Sequence, residues 1–165
     1  MKLRSVECLP IEKVDIPLMV EEYNTFIKPN LSPIGRNKTN NVLVHSMFPI
    51  DFDTDEGKSL LDSIPQTKQA IQQLIDKYSI INMVFRVVHS NCVYSWHTDL
   101  PGTPFYHIPL ITNEGCWFIY EGKSFSMPAD GSSYRVDTRV PHSFMNAGPE
   151  DRVHIVCTGL ELNPE

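Results

Sequence analysis

Short runs of β-branched and aromatic residues fill the chain from Ile80 onward, and turn-forming residues separate them. The runs are IINMVFRVVH, YSWHTD, FYHIPLIT, CWFIYEG, KSFSMP, SYRVDTR, HSFMNAG and RVHIVCTGL. Gly, Pro, Asn, Asp and Ser stand between them at the spacing of an antiparallel sandwich or barrel. The pattern predicts a mainly β protein, a double-stranded β-helix or jelly roll, with a few helices packed on one outer face.

Two helices are predicted in the first half of the chain. One covers residues 15–27, DIPLMVEEYNTFI, and the other covers about 64–78. At the start of the second helix, Ser63 and Gln66 have the spacing of a capping box, and Pro65 stands in the first turn. Apolar residues then recur on one face of this helix, which is expected to pack against the outside of a sheet.

Residues 28–41, KPNLSPIGRNKTNN, are rich in Pro, Asn and Gly and predict a long loop. A plain surface excursion is the commoner explanation of such a loop, and a lid on the substrate side is the alternative. The 165 residues are interpreted as a single cupin-like jelly-roll domain. Its helix-containing part is expected at about 1–79 and its strand-rich part at about 80–160.

The composition excludes several classes of protein. A formal net charge of −6 offers no basic surface for phosphate backbones, so nucleic acid is not an expected partner. The four cysteines contain no C-x-x-C pair, which disfavours a disulfide scaffold or a thiolate zinc site. The N-terminal residues lack the apolar core of a signal peptide, and no apolar run is long enough for a bilayer. A cytoplasmic protein without a membrane partner is the expectation.

Three side chains have the pattern of a metal site that is open on one side. His97 and Asp99 are two residues apart, so in a strand they leave the same face, next to the turn that follows. His142 opens a later strand, which in a jelly roll can lie across the pocket from this pair. Two imidazoles and a carboxylate suit iron(II), manganese(II) or zinc. The structural alternative is a turn histidine that is hydrogen-bonded to Asp99.

Arg152 begins the last apolar run, where an unpaired charge is costly. Its guanidinium fork suits a carboxylate ligand, and a structural ion pair with Asp137 or Glu150 is the alternative. His154 shares its face of the strand, and His107 precedes another apolar run. Each of these histidines is either a hydrogen-bond donor to a bound carboxylate or a satisfied core residue. His45 and His89 have no such context.

Four segments together resemble the Fe(II)/2-oxoglutarate-dependent oxygenase superfamily, and within it the aspartyl/asparaginyl β-hydroxylase-like group. They are WHTD at 96–99, YHIPLITNEG at 106–115, VPHSFMNAG at 140–148 and DRVHIV at 151–156. The resemblance covers about the second half of the chain. The sequence differs from the animal β-hydroxylases in keeping a carboxylate at Asp99, and it has His154 where the motif often has a hydroxyl residue.

The resemblance implies that His97, Asp99 and His142 are catalytic and bind iron(II). It also implies that Arg152 pairs with the distal carboxylate of 2-oxoglutarate and that His107 contacts this co-substrate. The implied reaction uses O2, hydroxylates an aliphatic C–H of an amino acid, a peptide or a similar small substrate, and releases succinate and CO2. A cupin-like metal enzyme without 2-oxoglutarate and a non-enzymatic jelly-roll binding module are the alternatives. The substrate and the oligomeric state are not readable from the sequence.

Overall fold

The computed structural model describes residues 6–12, 14–36, 43–99, 104–120 and 122–159. Its larger sheet contains β1 (Val6–Pro10), β2 (Ser32–Arg36), β3 (Leu43–Ile50), β4 (Ile80–Val88), β6 (Phe105–Ile111), β9 (Ser132–Val136) and β11 (Arg152–Gly159). Its smaller sheet contains β5 (Cys92–Val93), β7 (Cys116–Tyr120), β8 (Lys123–Phe125) and β10 (His142–Asn146). The described helices are α1 (Ile16–Glu22), α2 (Asp55–Ser63) and α3 (Pro65–Tyr78).

The two sheets are antiparallel throughout. The strand order is β1-β9-β6-β11-β4-β3-β2 in the larger sheet and β5-β10-β7-β8 in the smaller sheet. Strands that are distant in sequence are therefore neighbours, as β11 is to both β4 and β6. This is the mainly β jelly roll that the spacing of the apolar runs predicted. Among the described helices, none is both long and apolar enough to cross a membrane.

The larger sheet is covered on both faces. Alternate residues of β11 point to opposite faces, so Val153, Ile155 and Cys157 join the apolar core that the helices cover. Arg152 and His154 lie on the other face, toward the smaller sheet, where Arg152 stands over the Phe144 ring of β10. Because both faces are covered, most of β11 is buried. The site residues of this strand therefore lie in the space between the two sheets.

The helices pack on the outer face of the larger sheet, as predicted. Met19 of α1 and Ile71 and Leu74 of α3 are buried in the same core as Phe85 of β4 and Ile108 of β6. The predicted first helix is present as α1, which a single π-helical turn (Tyr23–Ile27) continues. Removing these apolar side chains from water is the main force that holds the helices on the sheet.

The predicted capping box of α3 is wrong. The Ser63 hydroxyl donates to the carbonyl of Ser59, inside α2, and makes no bond to α3. The cap is Glu22 of α1, whose carboxylate accepts from the backbone N–H groups of Gln66 at 2.7 Å and Thr67 at 2.9 Å. These N–H groups have no partner within the helix, and a carboxylate also interacts favourably with the helix dipole there.

The predicted loop over 28–41 is also wrong in part. A 3-10 turn (Lys28–Asn30) leads into β2, which pairs with β3 at the edge of the larger sheet. An edge strand tolerates Pro33 because one of its sides has no ladder partner. Residues 37–42 of that segment lie outside the described residues. The strands β1 and β3 and the helix α2 were not predicted at all.

Candidate active site

A backbone bridge brings the first two predicted metal ligands to the third. His97 and His142 exchange backbone hydrogen bonds of 3.1 Å and 2.9 Å, and the N–H of Asp99 donates to the carbonyl of Thr138. The expectation that His97 and Asp99 share a regular strand is wrong, because the bridge at His97 is isolated. Their ligand atoms and that of His142 nevertheless all lie within 4.8 Å of one another. The three predicted residues therefore form one cluster.

Backbone carbonyls set the orientation of both imidazoles. Nδ1 of His97 lies 2.8 Å from the carbonyl oxygen of Ser95, and Nδ1 of His142 lies 2.9 Å from that of Val140. A carbonyl oxygen only accepts, so each Nδ1 carries the proton and each Nε2 keeps its lone pair. Metal-binding histidines are commonly held in this way through their second nitrogen.

The free Nε2 atoms face the carboxylate of Asp99. The Nε2–Oδ separations are 4.0 Å from His97 and 3.4 Å from His142. Nε2 of His142 is buried and has no hydrogen-bond partner among the described residues. Burial raises the pKa of Asp99, but its interactions with the neighbouring His142 and His97 outweigh burial, so the pKa lies below its ordinary value. This donor set fits a divalent metal bound through three ligands, with other coordination positions open.

Aromatic rings surround the two histidines. The centroid of His142 lies 5.4 Å from that of Phe118 and 5.8 Å from that of Phe144. Tyr94 meets His97 edge to face at 4.7 Å and His45 at 4.8 Å. These contacts restrict the rings to one orientation and keep the neighbourhood of the cluster apolar.

Arg152, His154 and His107 form a second cluster between the sheets. Nη2 of Arg152 donates to Nδ1 of His154 at 2.8 Å, and Nδ1 of His107 lies 3.3 Å from the same atom. Burial, followed by the charge of Arg152, lowers the pKa of both histidines well below the ordinary value. Both are therefore neutral. Because Nδ1 of His154 accepts, its Nε2 carries the proton, and that buried atom has no partner among the described residues.

Arg152 is buried without an acidic partner. Its side chain is 3% exposed, and burial lowers its pKa to about 10, so it remains charged at neutral pH. The predicted alternative was an ion pair with Asp137 or Glu150. Asp137 instead binds Arg139 through two hydrogen bonds of 2.8 Å and 2.7 Å. In the part of the chain that the structure describes, no carboxylate pairs with Arg152. A buried cation without an anion is costly, so an anionic ligand is expected here.

Sequence reasoning missed two residues of this region. Arg86 lies directly opposite His154 in the ladder between β4 and β11, and its buried Nε has no hydrogen-bond partner among the described residues. An arginine inside the apolar run VFRVV was the available signal. His45 of β3 is buried beside Tyr94. His89 lies outside the site, where it contacts Ser46 at 2.9 Å and Asp151 at 3.0 Å.

Sequence comparison with protein families identifies the class. The profile of the aspartyl/asparaginyl beta-hydroxylase family matches residues 22–161, which is most of the chain. The chain belongs to this family. The match confirms the resemblance of the four motifs and extends it into the first half of the chain. Membership makes the protein an enzyme of the iron(II)- and 2-oxoglutarate-dependent hydroxylase class. A search among curated proteins gives no match.

Solved structures share the fold of this beta-hydroxylase family member. A 2OG-Fe(II) oxygenase family oxidoreductase from Burkholderia pseudomallei is 13% identical with a TM-score of 0.64, covering 94% of this chain and 84% of that one. The prolyl hydroxylase vCPH of Paramecium bursaria Chlorella virus-1 is 16% identical with a TM-score of 0.59, covering 94% and 95%. A Pseudomonas putida prolyl-4-hydroxylase is 15% identical with a TM-score of 0.61, covering 96% and 94%. These similarities confirm the double-stranded β-helix.

Proposed function

We propose that the enzyme binds iron(II) through His97, Asp99 and His142 and hydroxylates an aliphatic C–H with 2-oxoglutarate as co-substrate. The observation that carries the proposal is a pair of clusters between the two sheets. One offers two imidazole lone pairs and a carboxylate within 4.8 Å, and the other offers a buried guanidinium without an acid. 2-Oxoglutarate needs both clusters, because its keto-acid end chelates the metal and its distal carboxylate needs a cation.

Arg152 binds the distal carboxylate of 2-oxoglutarate in this proposal. A guanidinium donates two parallel hydrogen bonds to a carboxylate, and these charge-assisted bonds are strong where water is excluded. The Phe144 ring lies 4.9 Å from Cζ of Arg152 and holds the guanidinium plane from one side. The binding energy of this carboxylate orients the keto acid toward the metal ligands.

His154 and His107 position the arginine rather than exchange protons. Nδ1 of His154 accepts a hydrogen bond from one N–H of Arg152. This bond fixes the direction in which the remaining N–H groups of the guanidinium point. Its Nε2–H is a further donor for the co-substrate. Because the pKa of each histidine lies well below its ordinary value, neither adds a second positive charge beside Arg152.

The bound iron(II) supplies the activation of O2, which is coupled to the conversion of 2-oxoglutarate into succinate and CO2. The protein supplies three ligands, an anchor for the co-substrate and an aromatic wall that excludes water. We infer that the substrate is an amino acid, a peptide or a similar small molecule and that the protein acts in the cytoplasm. Neither a nucleic acid nor a membrane is part of the proposal.

The test begins with the anaerobic protein loaded with iron(II). Addition of 2-oxoglutarate is expected to produce a visible charge-transfer band, since the keto acid chelates the metal. The His142→Ala variant should lose both iron and the band, although His142 is remote from His97 in sequence. Succinate release over a panel of amino acids and peptides then identifies the substrate. A wild-type protein that binds iron without developing the band would favour a cupin-like metal enzyme, and one that binds no iron would favour a binding module.

A further inference from the structure

Arg86 is a cation in the middle of the larger sheet, on the same face as the candidate site. It stands opposite His154 of β11 on one side and opposite Met47 of β3 on the other. Its Nε is buried and has no hydrogen-bond partner, and no carboxylate pairs with it in the described part of the chain. A partly buried guanidinium without a carboxylate beside it favours an anionic ligand, because burial makes an unpaired charge costly.

Arg86 lines a groove of about 420 Å³ that crosses β3, β4 and β11. This is the size of a small-molecule site. Met47, Val84 and Phe105 give the groove an apolar wall, and Asn82 and Thr158 add polar atoms. The acidic residue of the lining, Asp51, follows the last residue of β3 and is four positions from Met47, or roughly 13 Å at the rise of a strand. The groove is therefore cationic at the Arg86 end.

The groove lies toward the metal-ligand end of the space between the sheets. The Asn146 side chain, at the C-terminal end of β10, donates to the carbonyl of Val88, at the C-terminal end of β4. His142, at the start of β10, therefore lies toward the start of β4, where the groove is, because packed sheets keep their strands roughly aligned. Arg86 also lies opposite His154 in the ladder, and His154 contacts both Arg152 and His107, so the Arg86 end of the groove adjoins the cluster between the sheets.

We propose that this groove is the substrate subsite and that Arg86 binds a carboxylate of a substrate with an apolar body. The inference rests on the proposed function and gives it a substrate class. The co-substrate does not account for Arg86, because Arg152 already supplies a buried fork for the distal carboxylate. The guanidinium of Arg86 offers a second pair of N–H donors, and it lines the groove that a substrate would enter. The apolar wall then contacts the body of that molecule.

The test uses paired ligands that differ only in charge. N-acetyl-L-leucine and N-acetyl-L-proline are titrated against the zinc- and 2-oxoglutarate-loaded protein, each beside its primary amide, with backbone amide NMR shifts as the readout. The acids are expected to move the resonances of groove residues and to bind about tenfold to a hundredfold more tightly than the amides. In Arg86→Gln this preference should disappear, whereas Arg86→Lys should keep part of it.

The matched control is Lys77→Gln, which removes one positive charge from the last turn of α3, an exposed position on the helical side of the sheet. It should leave the preference for the acids intact. Equal binding of acid and amide to the wild type, or an unchanged preference in Arg86→Gln, overturns the proposal. A weaker 2-oxoglutarate affinity in Arg86→Gln, with acid binding unchanged, would assign Arg86 to the co-substrate and overturns it as well.

Repeating the titration on metal-free protein separates this inference from the proposed function. Failure of the wild type to bind metal or 2-oxoglutarate refutes the proposed function alone. Loss of the charge preference in the groove of a protein that does bind both refutes the substrate subsite alone.

Discussion

At the scale of single residues, both histidines of the proposed metal site are oriented by the same local contact. Each imidazole directs its Nδ1–H to the carbonyl of the residue two places earlier, Ser95 for His97 and Val140 for His142. This contact is possible because the residues just before each histidine are not part of a regular strand. It orients the Nε2 lone pair without help from a distant side chain. Asp99 completes the set with a carboxylate whose oxygens lie 4.0 Å from Nε2 of His97 and 3.4 Å from Nε2 of His142.

We expect Asp99→Ala to lose metal affinity and turnover while the fold remains. Loss of even an outer partner of a metal ligand costs about tenfold to a hundredfold in affinity, and loss of a ligand should cost at least that much. The side chain is 30% exposed and contributes little to the core, so thermal unfolding of the metal-free variant should match the wild type. Metal titration and calorimetry measure the two effects.

Asp62→Ala is the control for this experiment, because Asp62 belongs to an exposed ion pair with Lys68. Its metal affinity should equal that of the wild type. An Asp99→Ala protein with near wild-type turnover would show that the carboxylate is not a required ligand.

Arg152→Lys tests the co-substrate anchor. Lysine keeps the charge but not the fork, so it loses directed hydrogen bonds to a charged group, at about 1.5–3 kcal/mol. The 2-oxoglutarate concentration for half-maximal turnover should rise about tenfold to a hundredfold, with iron content unchanged. Arg139→Lys, at an exposed pair, should change neither quantity. Iron loss in Arg152→Lys would instead identify a structural residue.

Short motifs in the sequence indicated the candidate site residues, but not the local structure that carries them. Short motifs placed His97, Asp99, His142 and Arg152, and the structure brings the first three together and leaves Arg152 without an acid. A motif shows which residue types recur, but not the conformation of the chain that carries them, so the strand expected at His97 is an isolated bridge. Arg86 was missed although an arginine inside an apolar run was an available signal, because a charged residue in a strand can also face solvent.

At the scale of elements, the residue that caps α3 could not be predicted from the sequence around the start of this helix. Ser63 and Gln66 have the spacing of a local cap, yet the bonds come from Glu22, 44 residues before Gln66. Proximity in space decides this contact, and it depends on how α1 packs against α3. A capping carboxylate from another helix leaves no pattern at the helix that it caps. The contact therefore caps the N-terminus of α3 and also links α1 to α3.

Glu22→Ala should destabilise the protein by about 1–3 kcal/mol, since two backbone N–H groups of a half-buried helix end lose their acceptor. Ser63→Ala is the matched comparison. Its hydroxyl bonds inside α2 at an exposed position, so the loss should be below about 0.5 kcal/mol. Urea unfolding measures both. A larger effect in Ser63→Ala than in Glu22→Ala would restore the local capping box.

At the scale of the whole molecule, the larger sheet separates two environments. Its outer face packs on the helices through an apolar core, whereas its inner face carries the arginines and histidines of the site. The strands from Ile80 onward were predictable because clear turn residues separate them. The strands β1, β2 and β3 were not, because β1 and β2 are edge strands with weak patterns and β3 lacks a regular alternation of buried residues. Their pairing creates them: β1 pairs with β9, β3 with β4, and β2 with β3.

The polar inner face should make the stability of the whole protein depend on pH. His107 and His154 are fully buried, and burial, followed by the charge of Arg152, lowers their pKa well below 6.5. The unfolded chain binds protons at these residues below about pH 6.5, and the folded protein does not. Folding free energy is therefore retained above that pH and lost as the pH falls below it. Each histidine contributes about 1.4 kcal/mol per pH unit.

Urea unfolding of the metal-free protein between pH 7.5 and pH 5 should show this loss, with about 2.7 kcal/mol per pH unit from these two histidines at the acidic end. His45 adds to the loss in the same direction, because burial and the charge of Arg86 lower its pKa. The lowered pKa values of Asp99 and Asp137 do not contribute in this window, because their stabilisation is lost only as the pH falls through acidic values below 3.8. His154→Gln keeps an acceptor for Arg152 and removes one titrating group, so its slope should be lower than that of the wild type by about 1.4 kcal/mol per pH unit. Equal slopes in the two proteins would show that His154 is protonated in the folded state.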